Sequence, residues 1–171
     1  MNAVGFAAAS VSKIAKEAGV SPATLYVYYD NKEDLLVSTY IDIKKDFSRA
    51  ILRDFDPGLP IRDILRNVWM TMFEYISSNS EYFRFSDQFA NSPYYAQVDR
   101  SMVEKYFAPL MEVLKRGIDQ KILKNVPFDV LTAFMVYPLM ALSNPSLCTD
   151  FDPTSASMEM AFNLAWDAIK L

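Results

Sequence analysis

An all-α fold follows from three observations on this 171-residue chain. Apolar residues recur at three- and four-residue steps through most of its length, strand-like alternation is absent, and the helical stretches are punctuated by cap, glycine and proline signals. With 51% hydrophobic residues, the chain can bury a substantial core as one domain, or as one domain with a small appendage.

Val11, Ile14, Ala15 and Ala18 share one face of a short first helix, which Ser10 caps and Gly19 ends. Ser21 is a second N-cap, and Pro22 occupies the first helical position, where a missing N–H costs nothing. Asn31 followed by Lys32-Glu33-Asp34 opens a third helix with the stripe Leu36, Tyr40, Ile43, Phe47 and Ile51. The run Asp56-Pro57-Gly58-Leu59-Pro60 cannot continue a helix and sets an expected boundary, with residues 1–50 as a head and 51–171 as a larger helical domain.

Ile61, Ile64, Leu65, Val68, Met72 and Ile76 mark the next helix, and a short aromatic helix is expected over 81–90. From Pro93, the residues Val98, Met102, Tyr106, Leu110 and Leu114 predict one long helix bent at Pro109. Two more helices, over about 128–142 and 154–170, complete the chain.

Composition excludes several function classes. The 17 basic and 21 acidic residues argue against nonspecific coating of nucleic acid through bulk charge. One cysteine, Cys148, permits no internal disulfide and predicts a reducing, cytoplasmic setting. The chain has no histidine, which removes the commonest general base and metal ligand, so no metal and no cofactor is expected. The apolar run 131–142 is too short to span a bilayer, for which about 20 residues are needed. Carboxylates such as Glu74, Asp87 and Asp99 fit solvated helix faces better than an acid–base pair, so an enzyme is the least favoured class.

Two short helices joined by the tight turn Ala18-Gly19-Val20-Ser21 meet the requirements of a helix-turn-helix, with the second helix presented to a major groove. In VSPATLYVYY, Ser21, Ala23 and Thr24 are small enough for close approach to a duplex, and Leu25 and Tyr29 are expected to face inward. Tyr26, Val27 and Tyr28 are expected to face outward, where hydroxyls reach phosphates and Val27 methyls reach thymine methyls. Lys32 adds a positive charge beside the same backbone. Residues 1–50 hold six basic and six acidic residues, so bulk charge adds nothing to this reading.

The segment GFAAASVSKIAKEAGVSPATLYVYYDNKEDLL, residues 5–36, closely resembles the DNA-binding region of the TetR family of bacterial transcriptional regulators. Ser10, Ile14-Ala15, Ala18-Gly19-Val20, Ser21, Thr24-Leu25-Tyr26, Tyr28 and Lys32-Glu33 carry the match, with Tyr29 where phenylalanine is usual. The resemblance implies a helix-turn-helix head on a helical ligand-binding and dimerisation bundle. It also implies a homodimer on near-palindromic double-stranded operator DNA, usually a repressor released by a small molecule. By position it implies DNA contacts from Ser12, Lys13, Ser21, Ala23, Thr24, Tyr26, Tyr28 and Lys32. Pro22 and Ala23 stand where the family often has a basic residue and a glycine. Only Met1 to Val4 precede the Gly-Phe, where the family has a full helix, so an N-terminally shortened chain with weakened operator binding is expected.

In the larger part, Trp69, Met72, Phe73, Ile76, Phe83, Phe89, Met102, Tyr106, Phe134 and Tyr137 are pocket candidates, joined by Phe85 and Met111. Each alone is best read as plain core; together, methionines and aromatics in this number predict an adaptable cavity for a mostly hydrophobic ligand. Tyr75, Gln88, Asn91, Arg84 and Arg100 are candidate polar anchors, with a surface ion pair the commoner fate of an arginine. The stripes Phe128, Leu131, Met135, Leu139 and Met158, Phe162, Trp166, Ile169 are expected to form a dimer face, against the plainer alternative of burial within one subunit. Two other classes compete with a ligand-modulated regulator: a small-molecule or lipid carrier without DNA binding, and a partner-binding helical adaptor.

Overall fold

The computed structural model describes Phe6 and residues 10–171. The expectations for residues 1–5 and 7–9, including the segment before the Gly-Phe, lie outside the described residues. Nine α-helices and a short 3-10 segment at Pro93–Gln97 occupy residues 10–171, in the order α1 Val11–Glu17, α2 Pro22–Tyr28, α3 Lys32–Ile51, α4 Ile61–Ser78 and α5 Ser80–Ala90, then α6 Arg100–Tyr106, α7 Ala108–Asp119, α8 Phe128–Leu142 and α9 Ser155–Ile169. The described residues form no strand; Leu123 and Lys170 make one isolated bridge.

Caps place the first three helices as the sequence predicts. Ser10 accepts from the Lys13 N–H, and α1 ends in a left-handed Gly19 with φ 68°. Val20 N–H reaches Ala15 O at 2.9 Å and Gly19 N–H reaches Lys16 O at 3.1 Å, the paired bonds of a Schellman ending. A side chain at Gly19 would be strained by that φ even with open space around it. Ser21 Oγ accepts from the Thr24 N–H at 3.1 Å with Pro22 next in the chain, so α2 starts in a fixed direction. Asn31 Oδ1 takes the Asp34 N–H at 2.9 Å, and Asp34 Oδ2 returns to the Asp30 N–H at 3.0 Å.

The chain divides into two compact units, Met1–Asp46 with Glu81–Val103, and Phe47–Ser80 with Glu104–Leu171. The aromatic helix α5 therefore packs with the N-terminal residues. The first core gathers Phe6, Leu36, Tyr40, Ile43, Phe85, Phe89 and Val98. Phe89 is its centre: Tyr40 stacks on it at 4.8 Å, Phe85 stacks at 5.9 Å, and Phe6 meets it edge-on at 6.1 Å.

In the second unit α4 packs against α7, α8 and α9, and α8 against α9. Fully buried Trp69 donates its indole N–H to Met135 O at 3.0 Å. That carbonyl lies in the α8 turn just before Pro138, whose ring crowds the preceding carbonyls and whose missing N–H leaves one of them without its helical partner. The indole supports the helix where proline weakens it. Arg66 pairs with Glu159 and Arg62 donates to Asn163 Oδ1 at 2.7 Å, tying α4 to α9.

The expected long helix over 93–114 is in fact three pieces. Pro93 begins the 3-10 turn, and Asp99 Oδ1 accepts from the Ser101 and Met102 N–H groups to start α6. Pro109 stands in the first turn of α7, where proline starts a helix rather than bending one, so the chain restarts at Phe107. Periodicity survives such breaks because each piece still faces a core.

Gly117 supplies a stability prediction. A Cβ there would meet Leu123 Cδ1 at 2.6 Å and Cγ at 2.8 Å, and Ile61 Cγ2 at 3.3 Å. Leu123 and Ile61 are both buried and cannot swing away. Gly117→Ala gains about 1 kcal/mol of helix propensity but overpacks by about 1–3 kcal/mol. The expected net result is a lower urea midpoint at unchanged slope; a raised midpoint would show that Leu123 yields freely.

Candidate nucleic-acid interface and apolar faces

The first unit presents α2 to solvent along most of its circumference. Leu25 and Tyr29 are half-buried, while Ser21, Pro22, Ala23 and Thr24 are exposed. Tyr26, Val27 and Tyr28 are 55%, 77% and 75% exposed. With about 100° per residue, Val27 lies opposite the midpoint of Leu25 and Tyr29. Tyr26 and Tyr28 lie on either flank of it, roughly 100° away. The Thr24 hydroxyl is engaged with Ser21 Oγ at 2.9 Å, so it belongs to the cap.

Ser12, Lys13 and Lys16 of α1 are also exposed. Lys32 is half-buried, and its ammonium donates to the Phe6 carbonyl. Seven of the eight candidate DNA contacts thus lie open, and the eighth is tied to a backbone oxygen. Lys16 was not among the candidates. Its place three residues after Lys13, on the same face of a short helix, was the available signal.

Further along α3, Lys44 lies over the Tyr40 ring at 5.2 Å, and burial holds its ammonium below the ordinary lysine range. Tyr40 is pushed above the usual tyrosine range, first by burial and then by Tyr95, to which it is hydrogen-bonded. Arg100 stacks on Tyr95 at 5.1 Å, and Arg84 pairs with Glu81 at the surface. Both arginines are engaged within the first unit.

The ten pocket candidates are dispersed. Trp69, Met72, Phe73 and Ile76 are buried in the second core, where Trp69 meets Phe162 at 5.9 Å and Phe73 meets Phe151 at 6.2 Å. Phe89 is fully buried in the first core, Phe83 and Met102 are half-buried in that unit, and Tyr106 is half-buried in the other. Phe134 and Tyr137 require correction. They are 53% and 66% exposed on α8: Phe134 borders an open groove between α8 and α9, and Tyr137 is not in the wall of that groove. A small cavity of about 250 Å³ does lie within the second unit, between the end of α3 and α4, with Ile51, Phe55, Leu59, Val68, Met70 and Asp54 in its wall. None of the ten candidates lines it.

The dimer stripe needs the converse correction. Leu131, Met135, Leu139, Met158, Phe162, Trp166 and Ile169 are all buried within the chain's own second core, and Phe128 is half-buried. Both helices are apolar on two faces, and α4 covers the face that the heptad-like stripe selected. The uncovered faces carry Phe134 and Tyr137 on α8, and Met160 and Leu164, at 63% and 69% exposed, on α9. Between them runs an apolar groove of about 830 Å³ floored by Ala141, Ala161, Ala165 and Ala168.

Among the described residues no helix is long and apolar enough to cross a membrane. Residues 1–39 match the family model described as bacterial regulatory proteins, tetR family. Residues 60–170 match the model described as tetracyclin repressor-like, C-terminal domain. The crystal structure of a TetR family transcription regulator from Marinobacter aquaeolei is 35% identical, covers 99% of this chain and 88% of its own, and superposes with a TM-score of 0.87. An uncharacterized HTH-type transcriptional regulator of Haemophilus influenzae is 23% identical over 94% of this chain and 84% of its own length. The fatty acid metabolism regulator protein of Bacillus subtilis is 53% identical over 50 residues, 29% of this chain and 26% of that protein. A capped helix-turn-helix, an all-helical second unit, and matches that run through both make this chain a member of the TetR family of transcriptional regulators.

Proposed function

We propose that the protein is a homodimeric repressor that reads a near-palindromic operator with α2 and releases it when a small, mostly hydrophobic ligand binds. The observation that carries the reading is the open face of α2, with Ser12, Lys13 and Lys16 of α1 exposed in the same unit. Tyr26 and Tyr28 reach the phosphates on either side of the groove, and the α1 lysines add counter-charge.

Pairing of subunits follows from the uncovered faces of α8 and α9. Exposed Phe134, Met160 and Leu164 around an alanine-floored groove, with Tyr137 exposed on the same helix as Phe134, are too much apolar surface for a lone helix pair to leave in water. A second copy meeting it by twofold rotation presents the same complement, and the alanines let the backbones approach. Ser157, Ala161, Leu164 and Ala168 recur at three- and four-residue steps, as a helix seam requires.

Ligand control follows from the helix α3, whose residues belong to the reading unit up to Asp46 and to the second unit from Phe47. A ligand that favours one setting of this helix biases the separation of the two reading heads. The first class to assay is fatty acyl compounds, because the Bacillus subtilis protein with the similar reading head is named for fatty acid metabolism.

Selection from random duplexes with the full protein tests the reading, with enrichment of an inverted repeat as the expected result. Tyr26→Phe combined with Tyr28→Phe keeps both rings and removes both hydroxyls. Each lost bond to a charged phosphate is worth about 1.5 kcal/mol or more, so losing both hydroxyls should lower affinity for the selected site by at least about a hundredfold. Unchanged affinity would take the tyrosines off the backbone. A bound ligand should weaken the operator complex by about 5–150-fold, the range of ordinary allosteric coupling; an unmoved operator affinity at saturating ligand would remove the switch.

A further inference from the structure

The middle of the α2 reading face carries no long polar side chain. Val27 lies opposite the inward residues Leu25 and Tyr29 and is 77% exposed, the largest value on the helix among its exposed large apolar residues. Ala23, one turn earlier, shares its face. Thr24, the nearest polar neighbour on that side, has its hydroxyl bonded to Ser21 at 2.9 Å. The tyrosine hydroxyls stand on the flanks, about 100° from Val27 on either side. Nothing at the centre can make the two-bond grip by which Arg or Lys reads guanine, or by which Asn or Gln reads adenine.

The edge of a base pair in the major groove offers one apolar feature, the C5-methyl of thymine. From this we infer that the protein reads the centre of each operator half-site by a methyl group: Val27, supported by Ala23, seats the C5-methyl of a pyrimidine there. The inference rests on the operator-binding reading and specifies what that reading recognises. It has a consequence that a hydrogen-bonding reader would not share. A cytosine carrying a C5-methyl places the same group at the same point of the groove, so 5-methylcytosine should stand in for much of what thymine supplies, and unmethylated cytosine should not.

The test uses the full protein and half-sites selected from random duplexes. Replacing thymine by deoxyuridine removes the methyl and alters no Watson–Crick hydrogen bond. At one position of one half-site this should lower affinity about fourfold, the equivalent of burying one methyl group, and about fifteenfold when both half-sites are changed. Val27→Ala, a change at an exposed residue, should bind more weakly and lose that sensitivity. With cytosine at the same position, methylating C5 should recover about fourfold. Half-sites whose centre is fixed by guanine, sensitive to 7-deazaguanine and indifferent to deoxyuridine, would overturn the methyl reading while leaving operator binding intact. Equal deoxyuridine sensitivity in the wild type and in Val27→Ala would overturn the assignment to Val27. Failure to enrich any sequence would remove the operator reading, and this inference with it.

Discussion

Leu164→Glu is expected to leave each subunit folded and to split the proposed dimer. Leu164 is 69% exposed in the subunit, so the substitution removes little packing there, and glutamate forms helix about as well as leucine. In the proposed twofold pair the situation reverses. Leu164 borders the apolar groove with Phe134 and Met160, and symmetry would bring two carboxylates into it for each substitution. An unpaired buried charge costs several kcal/mol even after relaxation, so the dimer dissociation constant should rise by at least about a thousandfold. Sedimentation at micromolar concentration should show a single subunit with unchanged helical circular dichroism, and affinity for an inverted repeat should drop towards that for one half-site. A dimer that persists would place the interface elsewhere on the surface. Leu131→Ala is the informative contrast. That residue is 1% exposed within its own core, and its loss should lower subunit stability by about 2–5 kcal/mol without acting first on assembly.

The contrast between those two leucines shows where the sequence stops being legible. Helix boundaries at the N-terminal end were readable because caps are local chemistry. Ser10, Gly19, Ser21 and Pro22 each satisfy or spare a backbone group within four residues, and the observed bonds are the expected ones. The inward facing of Leu25 and Tyr29 was readable from equally local geometry, since Ser21 and Pro22 fix where α2 starts and residues four apart share a face. Helices α8 and α9 offer no such division. Leu131, Met135 and Leu139 compete with Phe134, Tyr137 and Ala141, and either set satisfies helical spacing. Which face meets α4 and which meets solvent is decided by residues far away in sequence, through contacts such as Trp69 with Met135 O and Arg66 with Glu159. The aromatic segment 81–90 was misplaced in the same way. Its phenylalanines fit any core, and only the observed ring contacts assign them to Phe6 and Tyr40. Two apolar faces on one helix are nonetheless a signal in their own right: one face is for the chain itself, and the second is for something else.

Phe89→Ala should produce the largest loss of stability in the reading unit, and one confined to it. Phe89 is fully buried and in ring contact with Phe6, Tyr40, Phe85 and Tyr95, so four aromatic neighbours would line the void. Phenylalanine-to-alanine changes at such sites cost about 3–5 kcal/mol, and the rigid rings here leave little scope for collapse. Phe89→Leu, which keeps most of the volume, should cost under about 2 kcal/mol. Because each unit has its own buried cluster, the damage should be local. Amide hydrogen exchange should accelerate in α5 and in α3 up to Asp46, while α4, α8 and α9 keep their protection. Operator affinity should fall with it. Phe6 rests on Phe89 and Phe85 and accepts the Lys32 ammonium at its carbonyl, so loosening that ring loosens the tie between the start of α3 and the segment leading into α1. Assembly through the α8 and α9 faces should be unaffected at temperatures where the second core remains folded. If protection were lost uniformly across both units, the two cores would be melting as one, and the reading head would have no stability of its own to lose.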